Sequence, residues 1–246
     1  MNSPAPAATC DLLIRRGLIL DGSGTAPFTG DVAITNDRIA AVGNLDGWQA
    51  THTVDAAGLA VAPGFINLLS WATESLLHDG RSQSDLRQGV TLEVMGEGSS
   101  MGPLNPDMKQ ALRAGQGDLR YAVPWTTLGE YLDHLVTRGV SCNVASFVGA
   151  TTVRIHELGQ SNRPPTAAEL ARMAQLVHRA MEEGALGLSS ALIYAPAFYA
   201  QTDELIALAR AAAAHGALYI THLRSEGNRL LEAADEFLAK IGRAHV

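Results

Sequence analysis

The feature that most constrains the fold is an alternation of short apolar runs with capped helical segments after Pro63. Thr127 with Glu130, and Thr166 with Glu169, form capping boxes that predict two helices, and Thr202 is the predicted cap of a third. Between them, strands are predicted at 61–69, 90–95, 142–148, 186–191 and 217–222. The alternation of strands and helices indicates parallel βα units. Because no GxGxxG motif follows the first strand, a (β/α) barrel is favoured over a dinucleotide-binding fold.

The first sixty residues have a different pattern, with short β-branched runs separated by turns. Strands are predicted at 12–15, 17–21, 31–35, 38–42, 52–55 and 59–62, and Asn36-Asp37 is typical of a hairpin turn. A small antiparallel sheet is the natural interpretation. The predicted organisation is therefore a disordered tail at 1–10, an incomplete β domain at 11–60 and an α/β domain at 61–240.

The number of predicted strands does not complete a barrel. A full barrel takes about 250 residues and eight strands, and residues 61–246 contain five predicted strands. The last six residues, 241–246, are also what the opening codons of a widely used sequencing-library adapter encode. We therefore expect 241–246 to be a non-native tail, the native chain to continue beyond it, and the strand edges left open to make the chain poorly soluble.

Composition excludes several classes of function. The formal net charge is −7, and no Lys/Arg cluster is present, which argues against a nucleic-acid or membrane partner. The longest apolar stretch, 205–220, is interrupted by Arg210 and His215 and is too short to span a bilayer. Two cysteines without a CxxC motif, and an N-terminus unlike a signal peptide, predict a reduced, cytoplasmic compartment.

Candidate chemistry lies where predicted strands end, since catalytic groups of barrels lie there. His222 follows an apolar strand and is a candidate metal ligand, although a surface histidine would look the same. Glu97, between Gly96 and Gly98, is a candidate ligand or a solvated loop residue. Glu93 lies inside a strand, where it could support the metal ligands or form an internal ion pair, and the ion pair is the favoured interpretation.

The other polar groups are weaker candidates. The segment 96–99 is superficially similar to a phosphate loop, but it lacks the Lys-Ser/Thr ending. Arg224 and Glu226 are interpreted as a pair, either oriented near the site or on the surface. No nucleophile elbow surrounds Ser189-Ser190. The remaining candidates are predicted to be structural: His78, His134, His156, His178, His215 and Cys142.

Two blocks of the sequence resemble a known family. Residues 11–17, 20–24, 31–34, 38–43, 54–56 and 61–67 resemble the opening β domain and barrel entry of metal-dependent amidohydrolases. Residues 187–196, 202–205 and 219–227 resemble the N-acyl-D-amino-acid deacylase (D-aminoacylase) family. The resemblance implies a partial (β/α)8 TIM barrel preceded by a small β-sandwich-like domain, and deacylation of small N-acyl-D-amino acids at a zinc site.

The resemblance also implies site residues. His222 matches the strand-five histidine ligand, and Glu97 falls at or next to the cysteine ligand that follows strand two, a position that Gly98 could take instead. The superfamily's His-x-His after strand one is replaced by Leu69, Ser70 and Trp71. The expectation is thus one zinc ion, held by Glu97, His222 and a strand-six histidine. That histidine and the general-base aspartate are expected beyond residue 246, so residues 1–246 alone are expected to be inactive.

Three alternatives remain open from the sequence. One is a different amidohydrolase reaction, on a cyclic amide or a dipeptide. Another is a metal-free pseudoenzyme or binding protein, which the missing His-x-His makes credible. The third is a phosphate- or nucleotide-binding domain that uses residues 96–99.

Overall fold

The computed structural model describes residues 8–244, which divide between Gly64 and Phe65 into two compact units. This division lies four residues after the predicted boundary, because the strand at Ala60–Val61 pairs within the first unit. Residues 1–7 of the predicted tail and residues 245–246 of the predicted non-native tail lie outside the described residues. Thr9 and Cys10 belong to a strand rather than to a tail.

The N-terminal unit is one five-stranded sheet. Its strands are β1 (Thr9–Ile19), β2 (Phe28–Thr35), β3 (Arg38–Gly43), β4 (Gln49–Asp55) and β5 (Ala60–Val61). The order is β3-β2-β1-β4, with β5 also paired to β1. The predicted antiparallel sheet is wrong in part, because β4 and β5 run parallel to β1. An irregularity between Ile14 and Gly17 divides the long β1, so that β4 pairs with its first segment and β5 with its end.

The second unit is α/β, as the alternation predicts. Its strands are β6 (Phe65–Asn67), β7 (Val90–Met95), β8 (Asn143–Ser146), β9 (Val148–Gly149), β10 (Gly187–Ala191) and β11 (Leu218–His222). All ladders are parallel, in the orders β6-β7-β8 and β9-β10-β11. The strand predicted at 142–148 is divided at Phe147, because β8 pairs with β7 whereas β9 pairs with β10.

Eight helices connect or follow these strands in the described part of the chain. They are α1 (Ser75–His78), α2 (Gln83–Leu86), α3 (Pro106–Ala114), α4 (Leu128–Arg138), α5 (Ala150–Leu158), α6 (Ala167–Glu182), α7 (Thr202–Ala213) and α8 (Leu230–Ala244). None of the helices among residues 8–244 has the length and apolar character to cross a membrane. The segment predicted to be non-native, 241–246, is helical as far as Ala244.

Local signals set the helix ends only in part. Both predicted capping boxes are present: the Thr127 hydroxyl accepts from the Glu130 amide, and the Thr166 hydroxyl accepts from the Glu169 amide. The prediction for Thr202 is wrong. Thr202 is the first residue of α7, and its hydroxyl donates to Glu236 Oε1 at 3.1 Å. A tertiary contact has therefore replaced the local cap.

Candidate metal centre

Glu97 lies in the loop that follows β7, and two glycines fix the path of this loop. Gly96 and Gly98 have φ values of +92° and +68°, which an L side chain rarely adopts. A Cβ atom at Gly96 would collide with the Phe147 carbonyl, and one at Gly98 would collide with Ala191 on β10. Close packing of bare backbone therefore holds the glutamate at the carboxyl end of the strands.

His222 is the last residue of β11. It pairs with Ala191 of β10, and its carbonyl accepts from the Leu192 amide at 3.0 Å. The imidazole is 26% exposed, and the ring centroid of Tyr194 lies 5.7 Å from its own centroid. The sheet thus determines where the backbone of His222 lies, and Tyr194 covers part of the ring.

The fold brings these two sequence-predicted residues together. His222 Nδ1 lies 3.7 Å from Glu97 Oε1, and the Glu97 side chain is 13% exposed. On the other side of the ring, His222 Nε2 lies 3.0 Å from Oε1 of Glu226, which is 57% exposed. The Glu97–His222 separation is too long for a hydrogen bond. Two electron-pair donors therefore face each other across a gap of the size that a cation fills.

The separation allows the pair to share a metal ion. Two ligands of a tetrahedral zinc ion, each bonded at about 2.1 Å, lie about 3.4 Å apart. Carboxylate oxygen and imidazole nitrogen are both ligands that zinc accepts. Glu226 faces the opposite ring nitrogen, so it does not share this gap. Among residues 8–244, no three His, Cys, Asp or Glu side chains form a metal-binding group. Glu97 and His222 would thus supply two ligands of a larger set.

Glu93 does not form the predicted ion pair. It is fully buried, and its Oε2 accepts from the Ser70 hydroxyl at 2.7 Å, while Oε1 has no partner. No Lys, Arg or His in the described range of the chain pairs with it. The Ser70 amide donates to the Val94 carbonyl, which brings the hydroxyl beside the carboxylate. Ser70, the middle residue of the segment where the resemblance leads us to expect His-x-His, therefore has a structural contact.

The predicted Arg224–Glu226 pair is also wrong. The Arg224 guanidinium donates to both carboxylate oxygens of Glu236 and to the carbonyls of Phe198 and Ala200. These contacts use the guanidinium within the structure and leave Glu226 beside His222. No local pattern in the sequence predicts that Arg224 binds Glu236. Glu236 lies on α8, and no capping motif in the sequence indicates that helix.

The alternative of a phosphate loop at residues 96–99 is weakened by the hydrogen bonds that the loop's own amides make. The Gly98 amide donates to the Ser189 hydroxyl at 2.9 Å, so it is not free for an anion. No nucleophile motif surrounds Ser189, and no local pattern predicts its contact with the Glu97 loop, because the two lie about ninety residues apart in the chain. Cys142 is buried, as predicted. His178 and His215 contact each other, with Nδ1 of the first 3.0 Å from Nε2 of the second.

Comparison with known proteins identifies relatives over nearly the whole chain. D-aminoacylase of Alcaligenes xylosoxydans xylosoxydans is 37% identical over 237 residues, which are 95% of this chain and 48% of that protein. N-acyl-D-glutamate deacylase of the same organism is 35% identical over 236 residues, 95% of this chain and 47% of the relative. No family model matches the chain.

Solved structures give the same result. A D-aminoacylase crystal structure, described as defining a novel subset of amidohydrolases, has a TM-score of 0.85 and 33% identity, over 96% of this chain and 50% of its own. The N-acyl-D-glutamate deacylase of Bordetella bronchiseptica, complexed with zinc and a phosphonate inhibitor, has a TM-score of 0.83 and 32% identity, over 94% and 49%. This chain is therefore a homologue of the N-acyl-D-amino-acid deacylases, and it spans about half the length of the curated relatives that it matches.

Proposed function

We propose that this chain is the part of an N-acyl-D-amino-acid deacylase that supplies Glu97 and His222 to one zinc ion. The observation that carries this proposal is the 3.7 Å separation of Glu97 Oε1 and His222 Nδ1 at neighbouring strand ends. Two facing electron-pair donors are stabilised by a cation between them. A related D-aminoacylase structure is described as having a binuclear metal center with one-metal activation and second-metal attenuation, which supports one activating ion as the proposed minimum for this chain.

The proposal includes the finer architecture. Residues 65–244 would be the first part of a (β/α)8 barrel, with 9–61 as part of an accompanying β domain. Parallel strands in sequence order, with helices between them, support this assignment. Both members of the Glu97–His222 pair follow or end a strand at its carboxyl terminus, which is where barrel enzymes carry their active sites.

The proposed reaction is hydrolysis of a linear amide bond. When bound, zinc lowers the pKa of a water molecule and polarises the scissile carbonyl. The residues of this chain would hold the ion and orient its ligands. Glu97 and His222 bind the ion, and Tyr194 packs beside the imidazole. We propose that the general-base aspartate and a further histidine ligand come from outside residues 1–246. The chain by itself would then bind zinc without turnover.

The proposed substrates are small N-acyl-D-amino acids. The relatives are named for such substrates: D-aminoacylase, N-acyl-D-glutamate deacylase and N-acyl-D-aspartate deacylase. The acidic chain, with a formal net charge of −7, offers no basic patch for a polymeric anion. A cyclic amide or a dipeptide is the competing substrate class within the same chemistry.

One observation favours a second candidate, a metal-free binding protein. Leu69 and Trp71 stand where the resemblance expects two histidine ligands, and Ser70 between them binds Glu93. This candidate predicts that no zinc ion is retained. It differs from the enzyme proposal in metal content alone, so a measurement of bound metal separates the two.

The test is metal content followed by activity. When zinc is titrated into the metal-free chain, the enzyme proposal expects one binding site that is lost in His222→Ala, and the absence of binding would favour the binding protein. The loaded chain is then assayed with N-acetyl-D-amino acids, their L-enantiomers and a cyclic amide. No turnover is expected. Turnover that disappears in His222→Ala would show that residues 1–246 contain their own base, contrary to the proposal.

A further inference from the structure

We infer that Ser189 is a positioning residue that holds Glu97 in register with His222. This inference rests on the proposed function, since it assigns a role toward the same metal pair. Ser189 lies inside β10 and contacts neither carboxylate nor imidazole. Its role is exerted through the loop 96–98, which is the backbone that carries Glu97.

A single hydroxyl closes both ends of this loop. Ser189 Oγ accepts from the Gly98 amide at 2.9 Å and donates to the Gly96 carbonyl. The serine is completely buried, so neither bond competes with bulk water. Because the two bonded glycines flank Glu97 directly, the hydroxyl fixes the peptide units on both sides of the glutamate.

The same strand fixes the partner residue. Ser189 pairs with Ile220, and two residues further along the ladder Ala191 pairs with His222. Side chains two residues apart on a strand point to the same face, and Gly98 packs against Ala191. Strand β10 therefore positions both residues. Its Ser189 side chain binds the backbone of the Glu97 loop, and its backbone pairs with β11, the strand that ends at His222.

The loop also has hydrogen bonds that do not involve Ser189, so the contribution of the serine can be measured separately. The Thr151 amide donates to the Gly98 carbonyl at 3.1 Å. Loss of the Ser189 hydroxyl would thus free the Gly98 amide and the Gly96 carbonyl while the carbonyl side of Gly98 stays bound. We expect the loop to remain folded but to hold Glu97 less firmly.

The experiment compares Ser189→Ala with Ser190→Ala, a matched control on the opposite face of the strand. Ser190 is equally buried, and its hydroxyl contacts Tyr219 and Thr221 instead of the loop. Zinc affinity and urea unfolding are measured for each variant of the chain. Partners that orient metal ligands typically contribute about 10–100-fold in affinity. We expect a loss in that range for Ser189→Ala and less than about twofold for Ser190→Ala.

Equal losses in the two variants, or no loss in Ser189→Ala, would overturn the inference. If Ser189→Ala does not fold, Ser189→Cys fills the site with a weaker hydrogen-bonding group, and we expect a smaller loss of affinity in the same direction. Unchanged affinity in that variant would also overturn it.

A metal-free readout separates this inference from the proposed function. In wild-type protein without metal, we expect the Gly98 amide to be protected from hydrogen exchange and the Glu97 and His222 side chains to show mutual NMR contacts. Both should be lost in Ser189→Ala and kept in Ser190→Ala. If wild-type protein binds no zinc but behaves in this way, the proposed function fails while the positioning role stands. If Ser189→Ala keeps both signals, the positioning role fails.

Discussion

Two carboxylates four residues apart, one within β7 and one just after it, have opposite surroundings. Glu93 lies within the strand, is completely buried and has the Ser70 hydroxyl as its partner. Glu97 lies just past the strand end, is partly exposed and faces His222. Glu93 lies on the same face as Met95, whose sulfur contacts the Tyr131 hydroxyl of α4. One acid therefore belongs to the packing between sheet and helices, and the other to the open end of the strands.

This difference teaches that residue type alone does not mark a site in this fold. A carboxylate inside a parallel strand is surrounded by side chains of the same layer, and Glu93 takes its hydrogen bond from one of them, Ser70. A carboxylate after the strand, held between glycines, meets residues from other strand ends. The position relative to the strand end thus separates the structural acid, Glu93, from the proposed metal ligand, Glu97.

The largest expected effect is on zinc affinity, and it tests directly whether Glu97 and Glu93 have different roles. Glu97→Gln and His222→Gln should each weaken zinc binding by more than about 100-fold, because each removes a ligand. Glu93→Gln is the matched control and should leave the affinity within about twofold. Isothermal titration of the metal-free chain with zinc measures all three. A loss in Glu93→Gln as large as that in Glu97→Gln would contradict the division of roles.

The next effect concerns stability. Ser70→Ala should lower the free energy of unfolding by about 3 kcal/mol, because it leaves a buried carboxylate without its donor. Ser75→Ala, at an exposed serine of α1, is the control and should change stability by less than about 0.5 kcal/mol. Urea denaturation gives both values.

A double variant sharpens that interpretation. In Ser70→Ala/Glu93→Met, both partners are apolar and no buried charge remains, so most of the lost stability should return. A double variant less stable than Ser70→Ala would mean that the Glu93 carboxylate has other favourable contacts. Zinc affinity should be unchanged in every member of this series.

The smallest expected effect is on the reactivity of the Cys142 thiol, which responds to the charge of Glu93. Burial, with the nearby Glu93 charge as a lesser cause, raises the pKa of the Cys142 thiol. A raised pKa lowers the thiolate fraction at a given pH, so alkylation of Cys142 should be slow and its rate should rise only at alkaline pH. The Cys10→Ser background leaves Cys142 as the only thiol. In that background, Glu93→Gln should shift the pH–rate profile to lower pH, and at a given pH it should speed the alkylation by less than about tenfold. Glu97→Gln should leave the profile unchanged.

Much of the fold follows from local signals. The capping boxes at Thr127 and Thr166 predict their helices because the bonds that form them join residues three apart. The strand at 90–95 was predicted with its observed bounds, since an apolar run followed by Gly96 is a local pattern. The sequence predicts Glu97 and His222 as site residues for the same reason, because each is a polar residue after an apolar strand.

The tertiary structure decided which groups meet. Thr202 contacts Glu236 instead of capping α7. Arg224 pairs with the same glutamate and not with Glu226. Strand β4 pairs with β1 in parallel. The 3.7 Å separation of Glu97 and His222, and the Ser189 hydroxyl beneath the loop, likewise join residues far apart in the chain. The sequence by itself determined the alternation of strands and helices, because turns, caps and periodicity involve only near neighbours. It could not determine pairings between distant side chains, because those depend on how the strands are ordered in space.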